Sequence, residues 1–417
     1  MFSIPCLLLL ALFMFGYALE PSVSAQTRGR SVNANRYPGA DLGAKINAAD
    51  QDLGTATGEI VVSGGGTIST QVILSSGHTL RLGKGTYHTR TTSIPILMKA
   101  RTSIVGSGWD AIVMESTAPG QLTVISAYNQ SIRNGSPDSD LLIRDIQVQG
   151  ANSKFNSAPQ AISLGNCANC TVDRVWVNGT HSIGIQLGGS GRDGHFARNS
   201  KVINCQFTRV ASQNLALVNG RDILFEGNKF LASGQKGGPG SSNIDLEVNE
   251  GSDHLENVII RNNYIDVRGS EISPTGNGII VQASSGTPFV GNILIERNTI
   301  IGGSNTGVIT NVLSNGIYVF GTTMRDVIIR GNSITRTGQA GINIQGSNLT
   351  VVDNLLTDVG GGGTPGFLVQ GVTRSRIVNN RVSYTDVGPF DGRMLITHGS
   401  RDNVIQGNTN WVVTNAN

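Results

Sequence analysis

The chain has 417 residues, 55 of them glycine, with 14% charged residues and a formal net charge of +3. Glycine at roughly twice ordinary usage and charge at about half of it argue against coiled coils and helical solenoids. A hydrophobic share of 38% is too apolar for a disordered chain, and no basic cluster offers the phosphate neutralisation that binding DNA or RNA requires, so nucleic acid is not an expected partner.

Ile4 to Leu19 form an apolar run, followed by Pro21 and the small-residue stretch Ser22-Val23-Ser24-Ala25. This pattern predicts a signal peptide cut after Ala25 and hence a secreted or periplasmic protein, although Met1-Phe2-Ser3 lacks the usual positive charge. The run is short for a bilayer core of about 30 Å, and no later segment is long or apolar enough to span one, so no membrane association is expected after cleavage. Residues 26–37 read as a linker, and 38–417 as one domain with a helical cap over 38–56 and coils over 59–410. In the cap, Leu42, Ile46, Ala49 and Leu53 fall at helical spacing behind Asp41, a suitable N-cap. Strand-rich segments follow at Glu59 to Val62, Thr79 to Leu82 and Ser103 to Val105, with glycines between them.

Cys167 and Cys170 form a CxxC pair compatible with a disulfide in an oxidising compartment. No second CxxC or paired histidine follows at zinc-ligand spacing. Cys205 takes an apolar slot of the repeat and reads as a buried, inert thiol.

An internal repeat dominates the rest of the chain. The word apolar-x-apolar-x-x-Asn-x-apolar occurs at Ile223 to Phe230, Val258 to Ile265, Ile293 to Ile300 and Val327 to Ile334. Its asparagines, Asn228, Asn263, Asn298 and Asn332, are spaced by 35, 35 and 34 residues. Weaker copies carry Asn354, Asn380 and Asn408, and upstream the same slot holds Ile146, Val175 and Cys205. Period-2 alternation makes each word two short strands with a bend at the asparagine. A third strand follows each, as at Ile244-Asp245-Leu246, Ile279-Ile280-Val281, Ile317-Tyr318-Val319, Ile342-Asn343-Ile344 and Met394-Leu395-Ile396. Three short strands per turn, returning every 22 to 35 residues, predict an all-β right-handed parallel β-helix whose coils rise about 4.8 Å each. Inward asparagines of successive coils then stack into a ladder of side-chain amides with a structural role. Leucine-rich repeats share part of the word, but they are leucine-dominated and shorter in period.

The segments Ala40-Asp41-Leu42-Gly43-Ala44-Lys45-Ile46-Asn47-Ala48-Ala49, Gly64-Gly65-Gly66-Thr67-Ile68 and Gly83-Lys84-Gly85-Thr86-Tyr87, together with the asparagine words, resemble the pectate-lyase-like β-helix superfamily over roughly residues 38 to 410. The resemblance implies the fold and a carbohydrate-active repertoire that ranges from lyases, hydrolases and epimerases to tailspikes and non-catalytic proteins; fold alone does not choose among them. The Asn-Thr-Asp, Asp-Asp, Gly-His-Gly and Arg-Ile-Lys signatures of polygalacturonases are missing from the chain. Val175-Trp176-Val177-Asn178-Gly179 starts like the Val-Trp-Ile-Asp-His word of calcium-dependent pectate lyases but lacks its Asp and His, so Trp176 reads as packing.

The densest polar cluster is Asn243 to His254. Because Ile244, Leu246 and Val248 alternate inward, Asp245 and Glu247 are expected to point outward on one strand face, about 6.5 Å apart along it. Such a pair suits the acid and the base or nucleophile of glycoside hydrolysis. Alternatively it holds a calcium ion for β-elimination from a uronate, with Glu250 or Asp253 completing the oxygen shell. Polar outward residues are ordinary on any β-helix, but the neighbouring coils place Ala216 and Val218, then Ile280 and Gln282, in the same columns, so charge is rare there. Farther along come Tyr318 and Phe320, then Asn343 and Gln345, then Leu368 and Gln370; aromatics beside amides suit stacking and hydrogen bonding to sugar rings. Arg268 and Glu271, on the returning loop, are candidates to meet a substrate carboxylate or serve as a lyase base. His254 is a candidate proton shuttle. The sequence therefore points to a protein that binds a polysaccharide or oligosaccharide and cleaves it as a lyase or a hydrolase, with catalytic Asp245 and Glu247 and substrate contacts from Arg268, Gln282, Tyr318, Phe320, Asn343 and Gln345. A non-catalytic glycan-binding or adhesion protein is the alternative.

Overall fold

One coil shows how the molecule is built. In the computed structural model, the chain runs along His254–Arg261, bends, runs along Tyr264–Asp266, and after a longer connection runs along Ile279–Ala283. Val258, Ile260, Ile265, Ile279 and Val281 alternate inward and are wholly buried, because side chains of period 2 reach one face of each strand. The next coil repeats the path and lies on the first in register, with Val258 beside Ile293, Ile265 beside Ile300 and Ile279 beside Ile317. The described residues are 29–91, 94–115, 121–150, 159–179, 182–232, 242–268, 276–283, 289–303, 313–385, 390–397 and 399–416. Among them the stack makes three parallel sheets of sixteen, twelve and thirteen strands, met in that order along each coil and called here the first, second and third sheet. The architecture is the right-handed parallel β-helix that the repeat implies. The inward residues of all three sheets form one apolar column running the length of the stack.

The bend between the first and second sheets explains the repeated word. The residue before each asparagine of the row, namely Gly227, Asn262, Arg297, Gly331, Asp353, Asn379 and Gly407, has a φ between 52° and 68°. Glycine and asparagine adopt this left-handed turn most easily. The asparagine that follows turns inward and, from Asn228 to Asn380, is hydrogen-bonded to its successor one coil on. Asn263 Nδ2 donates to Asn298 Oδ1 at 2.9 Å and to the Phe225 carbonyl at 3.1 Å, while Asn298 Oδ1 also accepts from the Asn263 backbone N–H. The same set of bonds joins Asn298 to Asn332 and Asn354 to Asn380. Each amide thereby satisfies backbone groups that a sharp turn inside a dry core leaves without partners.

The helix Leu42–Leu53 closes the N-terminal end, burying Leu42, Ile46, Ala49 and Leu53. Asp41 caps it by accepting from Ala44 N–H at 2.8 Å, and it also ties the cap to the first coils by accepting from Ser69 and Thr70 N–H. Burial works to raise this carboxyl, but those N–H donors outweigh it and hold Asp41 below the usual range. The residues expected as a linker are partly structured: Arg30–Asn33 form the first strand of the first sheet, paired in register with Gly58–Val61. An exposed edge that can take another strand recruits whatever extended segment lies beside it. The expected signal peptide lies outside the described residues.

The CxxC pair, compatible in sequence with a disulfide, stands as two free thiols in the stack. Cys167, Cys170 and Cys205 are all buried free thiols. Cys170 Sγ lies 3.5 Å from the Ala168 carbonyl and Cys167 Sγ 3.6 Å from Ser200 Oγ, and the two thiols also adjoin each other. Burial pushes the Cys205 thiol up to about 12, which makes it inert as the sequence suggested.

Candidate functional site

The third sheet places the candidate residues in two outward columns. Ala216, Asp245, Ile280, Tyr318, Asn343 and Leu368 stand side by side on successive strands. Two residues farther along, Glu247, Gln282 and Phe320 do the same, and Gln345, Gln370 and Thr397 continue that line. These residues lie outside the apolar column: Ile244, Leu246 and Val248 belong to it, while Ala216, Asp245 and Ile280 do not. Asp245 and Glu247 thus face away from the lumen.

Their exposure differs from a plain strand face. Asp245 is only 2% exposed, and its neighbours Ala216 and Ile280 are nearly as covered. Glu247 is half-buried and Phe320 is 42% exposed. The outer face is therefore enclosed at Asp245 and opens towards Glu247 and the aromatics. Burial, reinforced by the charge of Glu247, pushes the Asp245 carboxyl up to about 7, against a smaller lowering effect of a hydrogen bond from Gln213. Asp245 Oδ1 has no hydrogen-bond partner among the described residues. Burial also raises Glu247, whose Oε1 accepts from Gln282 Nε2 at 3.0 Å. A carboxyl poised near neutrality beside a second, more accessible one can give up a proton at the pH where the other accepts one.

The other candidates divide. Tyr318 and Phe320 have ring centroids 5.5 Å apart at 40°, forming a tilted aromatic pair two strands from Asp245 and Glu247, across Ile280 and Gln282. Asn343 Oδ1 is buried without a partner among the described residues. Gln345 Oε1 accepts from Gly321 N–H at 3.1 Å, which holds the turn after Phe320. Arg268 does not join this group. It lies just beyond the second-sheet strand Tyr264–Asp266, and its guanidinium is held by Asp266, with Nε 2.9 Å from Oδ1 and Nη2 2.6 Å from Oδ2. Glu271 lies outside the described residues.

Glu250 and Asp253, the residues of the alternative calcium shell, bond at the turn after the acidic strand. Asp253 accepts from the N–H groups of Gly191, Asn249 and Glu250, while Glu250 accepts from Ser190 Oγ and pairs with Arg192. Both are spent on fastening the turn after the acidic strand to the loop around Gly191. Among the described residues, no group of three or more His, Cys, Asp or Glu side chains is arranged to hold a metal. His254 packs on Phe196, with centroids 4.6 Å apart, and burial lowers it.

Sequence reasoning missed the amides at the entrance to the third sheet. Asn214 Nδ2 donates to Asn243 Oδ1 at 3.1 Å, and Asn315 Nδ2 to Asn277 Oδ1 at 2.9 Å. Asn214 and Asn315 are buried, and each keeps an Oδ1 without a partner among the described residues. The signal was present as an asparagine one or two residues before the inward Ile244, Ile279 and Ile317.

A family model described as periplasmic copper-binding protein (NosD) matches residues 256–410. Two curated Burkholderia pseudomallei proteins, tRNA nuclease CdiA and tRNA nuclease CdiA-2 of strain 1026b, are 25% identical over 301 residues, 67% of this chain. The chain spans only 22% and 9% of their lengths. Among solved structures, the Yersinia enterocolitica family 28 exopolygalacturonase matches with a TM-score of 0.61 and 13% identity, covering 93% of this chain and 78% of that one. The Streptococcus pneumoniae surface protein and adhesin PfbA matches with a TM-score of 0.57 and 14% identity, over 92% and 98% of the two chains. A tailspike of E. coli bacteriophage HK620, solved with a pentasaccharide, matches with a TM-score of 0.53 and 15% identity, over 87% and 68%. The fold is that of the pectate-lyase-like right-handed β-helices.

Copper does not fit the matched segment as it stands. Copper sites draw on imidazole, thiolate and thioether ligands. Residues 256–410 contain no cysteine, Met324 and Met394 are wholly buried in the apolar column, and the lone histidine, His398, lies outside the described residues.

Proposed function

We propose that this is an extracytoplasmic carbohydrate-active protein that binds a polysaccharide along the outer face of the third sheet and hydrolyses it with Asp245 and Glu247. The periplasmic description of the NosD family and the surface adhesin among the structural likenesses support the location. An exopolygalacturonase and a tailspike holding a pentasaccharide support a glycan partner. The observation that carries the reading is the Asp245 carboxyl, enclosed, raised to about 7 and left with a free oxygen beside Glu247.

In this reading protonated Asp245 donates to the glycosidic oxygen as that bond breaks. Glu247, steadied by Gln282, takes a proton from the water that attacks the anomeric carbon. Two residues along a strand separate the pair by about 6.5 Å, which leaves room for that water and predicts inversion rather than a covalent intermediate. Hydrolysis is favoured over β-elimination because Arg268 is engaged by Asp266, while Glu250 and Asp253 are engaged at the turn. Tyr318 and Phe320 offer apolar faces for sugar rings.

The test is a scan of acidic and neutral polysaccharides read for reducing ends and for ultraviolet absorbance. New reducing ends without absorbance, and a loss of about 10²- to 10⁴-fold in rate for Asp245→Asn, are expected of a general acid. Unsaturated, absorbing ends would make the protein a lyase. Retention of polymer without cleavage would make it a binder, and a full rate in Asp245→Asn would remove the pair from the mechanism.

A further inference from the structure

The outer face of the first sheet carries an aliphatic ridge. Leu224, Ile259, Leu294 and Ile328 stand side by side in one outward column on successive strands. Ile328 is 38% exposed and the other three are half-buried. Lys201 precedes the ridge in that column and Thr350 follows it. An apolar stripe that polar residues rim marks an interaction surface.

The neighbouring column indicates what the ridge meets. Two residues farther along the strands, Ile203, Glu226, Arg261, Glu296, Arg330 and Val352 lie in register. Reversing this order exchanges the two apolar ends and puts each acid where a base stood. A second copy laid face to face on the sheet, about a twofold axis parallel to the strands, keeps the strand direction and reverses the coil order. With that axis between the coils of Ile259 and Leu294, Ile203 faces the second copy's Val352, Glu226 faces its Arg330 and Arg261 its Glu296. On the ridge, Leu224 faces the second copy's Ile328 and Ile259 its Leu294. The Glu226 and Arg330 side chains are 30% and 53% exposed, so each has surface left beyond its partner within the stack. Glu296 is covered by Arg297 and Arg330, so Arg261 faces a carboxylate that is already neutralised.

We infer that the first sheet is the interface of a twofold dimer in which two copies of this chain lie face to face with their helix axes antiparallel. Self-complementarity selects the occupant, because a twofold interface sets one patch against itself, and across the two columns no like charges meet. Six coils at about 4.8 Å by about six residues of strand at about 3.3 Å make a patch of roughly 600 Å² per copy. Two such patches reach about 1,200 Å², the lower bound of standard specific interfaces, so the dimer is a weak one. The third sheet takes no part, and the inference stands independently of the glycan reading.

The experiment follows the whole chain by sedimentation velocity from about 1 to about 300 μM, where a small interface dissociates. A shift from monomer to dimer across that range is expected. Leu224→Cys and Ile328→Cys are then made in separate chains and oxidised alone and mixed. The mixture is expected to give severalfold more covalent dimer, above the wild-type background, than either variant alone. Reversal sets position 224 against 328 and leaves it three coils, about 14 Å, from its own counterpart. Leu294→Asp, with circular dichroism as in wild type, is expected to weaken the dimer at least about tenfold. A monomer at every concentration overturns the inference. A single-cysteine variant that links to itself as readily as the mixture overturns the reversed arrangement, and a Leu294→Asp dimer as tight as wild type overturns the part given to the ridge.

Discussion

The outer faces of the first and third sheets rest on the same pleat and the same kind of apolar column, yet they handle charge in opposite ways. On the first sheet, Glu226, Arg261, Glu296 and Arg330 occupy one column in register and alternate in sign from coil to coil. Arg261 holds Glu226 through two bonds of 2.9 and 3.0 Å, and Arg330 holds Glu296 at 2.7 Å. Each charge there is neutralised by the stack itself. On the third sheet, the two carboxylates sit on one strand with Ala216 before and Ile280 after Asp245. Burial that a neighbouring arginine would have compensated instead raises the Asp245 carboxyl to about 7. A fold that can neutralise its charges in register does so on the first sheet and leaves the Asp245–Glu247 pair of the third uncompensated, the kind of pair that the proposed hydrolysis would use.

The sharpest way to probe this contrast is the pH dependence of stability. A carboxyl raised from 3.8 to about 7 keeps its proton in the folded protein over a range where the unfolded chain has lost it. The stabilisation from neutral Asp245 is therefore complete below about pH 4, falls away as pH climbs towards 7, and is gone above it. Asp245→Asn removes the dependence. Relative to wild type, the variant is expected to gain up to about 4 kcal/mol between pH 4 and pH 8, read from denaturant midpoints across a pH series. Parallel curves for the two proteins would place Asp245 in an ordinary solvated setting and erase the difference between the faces.

A second probe separates structural amides from open ones. Asn298→Ala removes the acceptor for both Asn263 donors and the donor to the Ile260 carbonyl. Leaving such buried groups unpaired is expected to cost about 3 kcal/mol, seen as a lowered denaturant midpoint. Asn343→Ala, whose Oδ1 bonds nothing among the described residues, is expected to cost much less.

The smallest effect belongs to the first sheet. Arg261→Ala opens a half-exposed ion pair with Glu226 and is expected to cost under about 1 kcal/mol, with polymer retention unchanged. Lost retention in this variant would mean that the glycan lies across the first sheet and not the third.

Much of this was legible in the primary structure, and the misreadings share a cause. The asparagine words, the third strands beginning at Ile244, Ile279, Ile317 and Ile342, and the capping helix from Leu42 all follow from periodicities of 2 and 3.6. The register of the outward columns followed as well, because equal spacing in the repeat becomes adjacency in the stack. Arg268 was misjudged although its signal was available. Asp266 and Arg268 are two residues apart at the end of a strand, where side chains of like parity meet. The CxxC spacing left the pairing of Cys167 and Cys170 open, because burial and redox state are not written in a spacing; the stack holds both as buried free thiols.

The amino-acid order by itself determined the coil, the inward faces, the bends that need a left-handed residue, and the meeting of Asp245 with Tyr318 and Asn343 on one wall. These depend on covalent geometry and on a repeat that local spacing records. Only the tertiary structure decided that Asp245 is enclosed while Glu247 is half-open, that Arg268, Glu250 and Asp253 are already engaged, and that four side-chain oxygens around one sheet are buried without a partner among the described residues. Burial and partnership are set by segments distant in the chain, so they enter the energy of a carboxyl or an amide only once the coils have stacked.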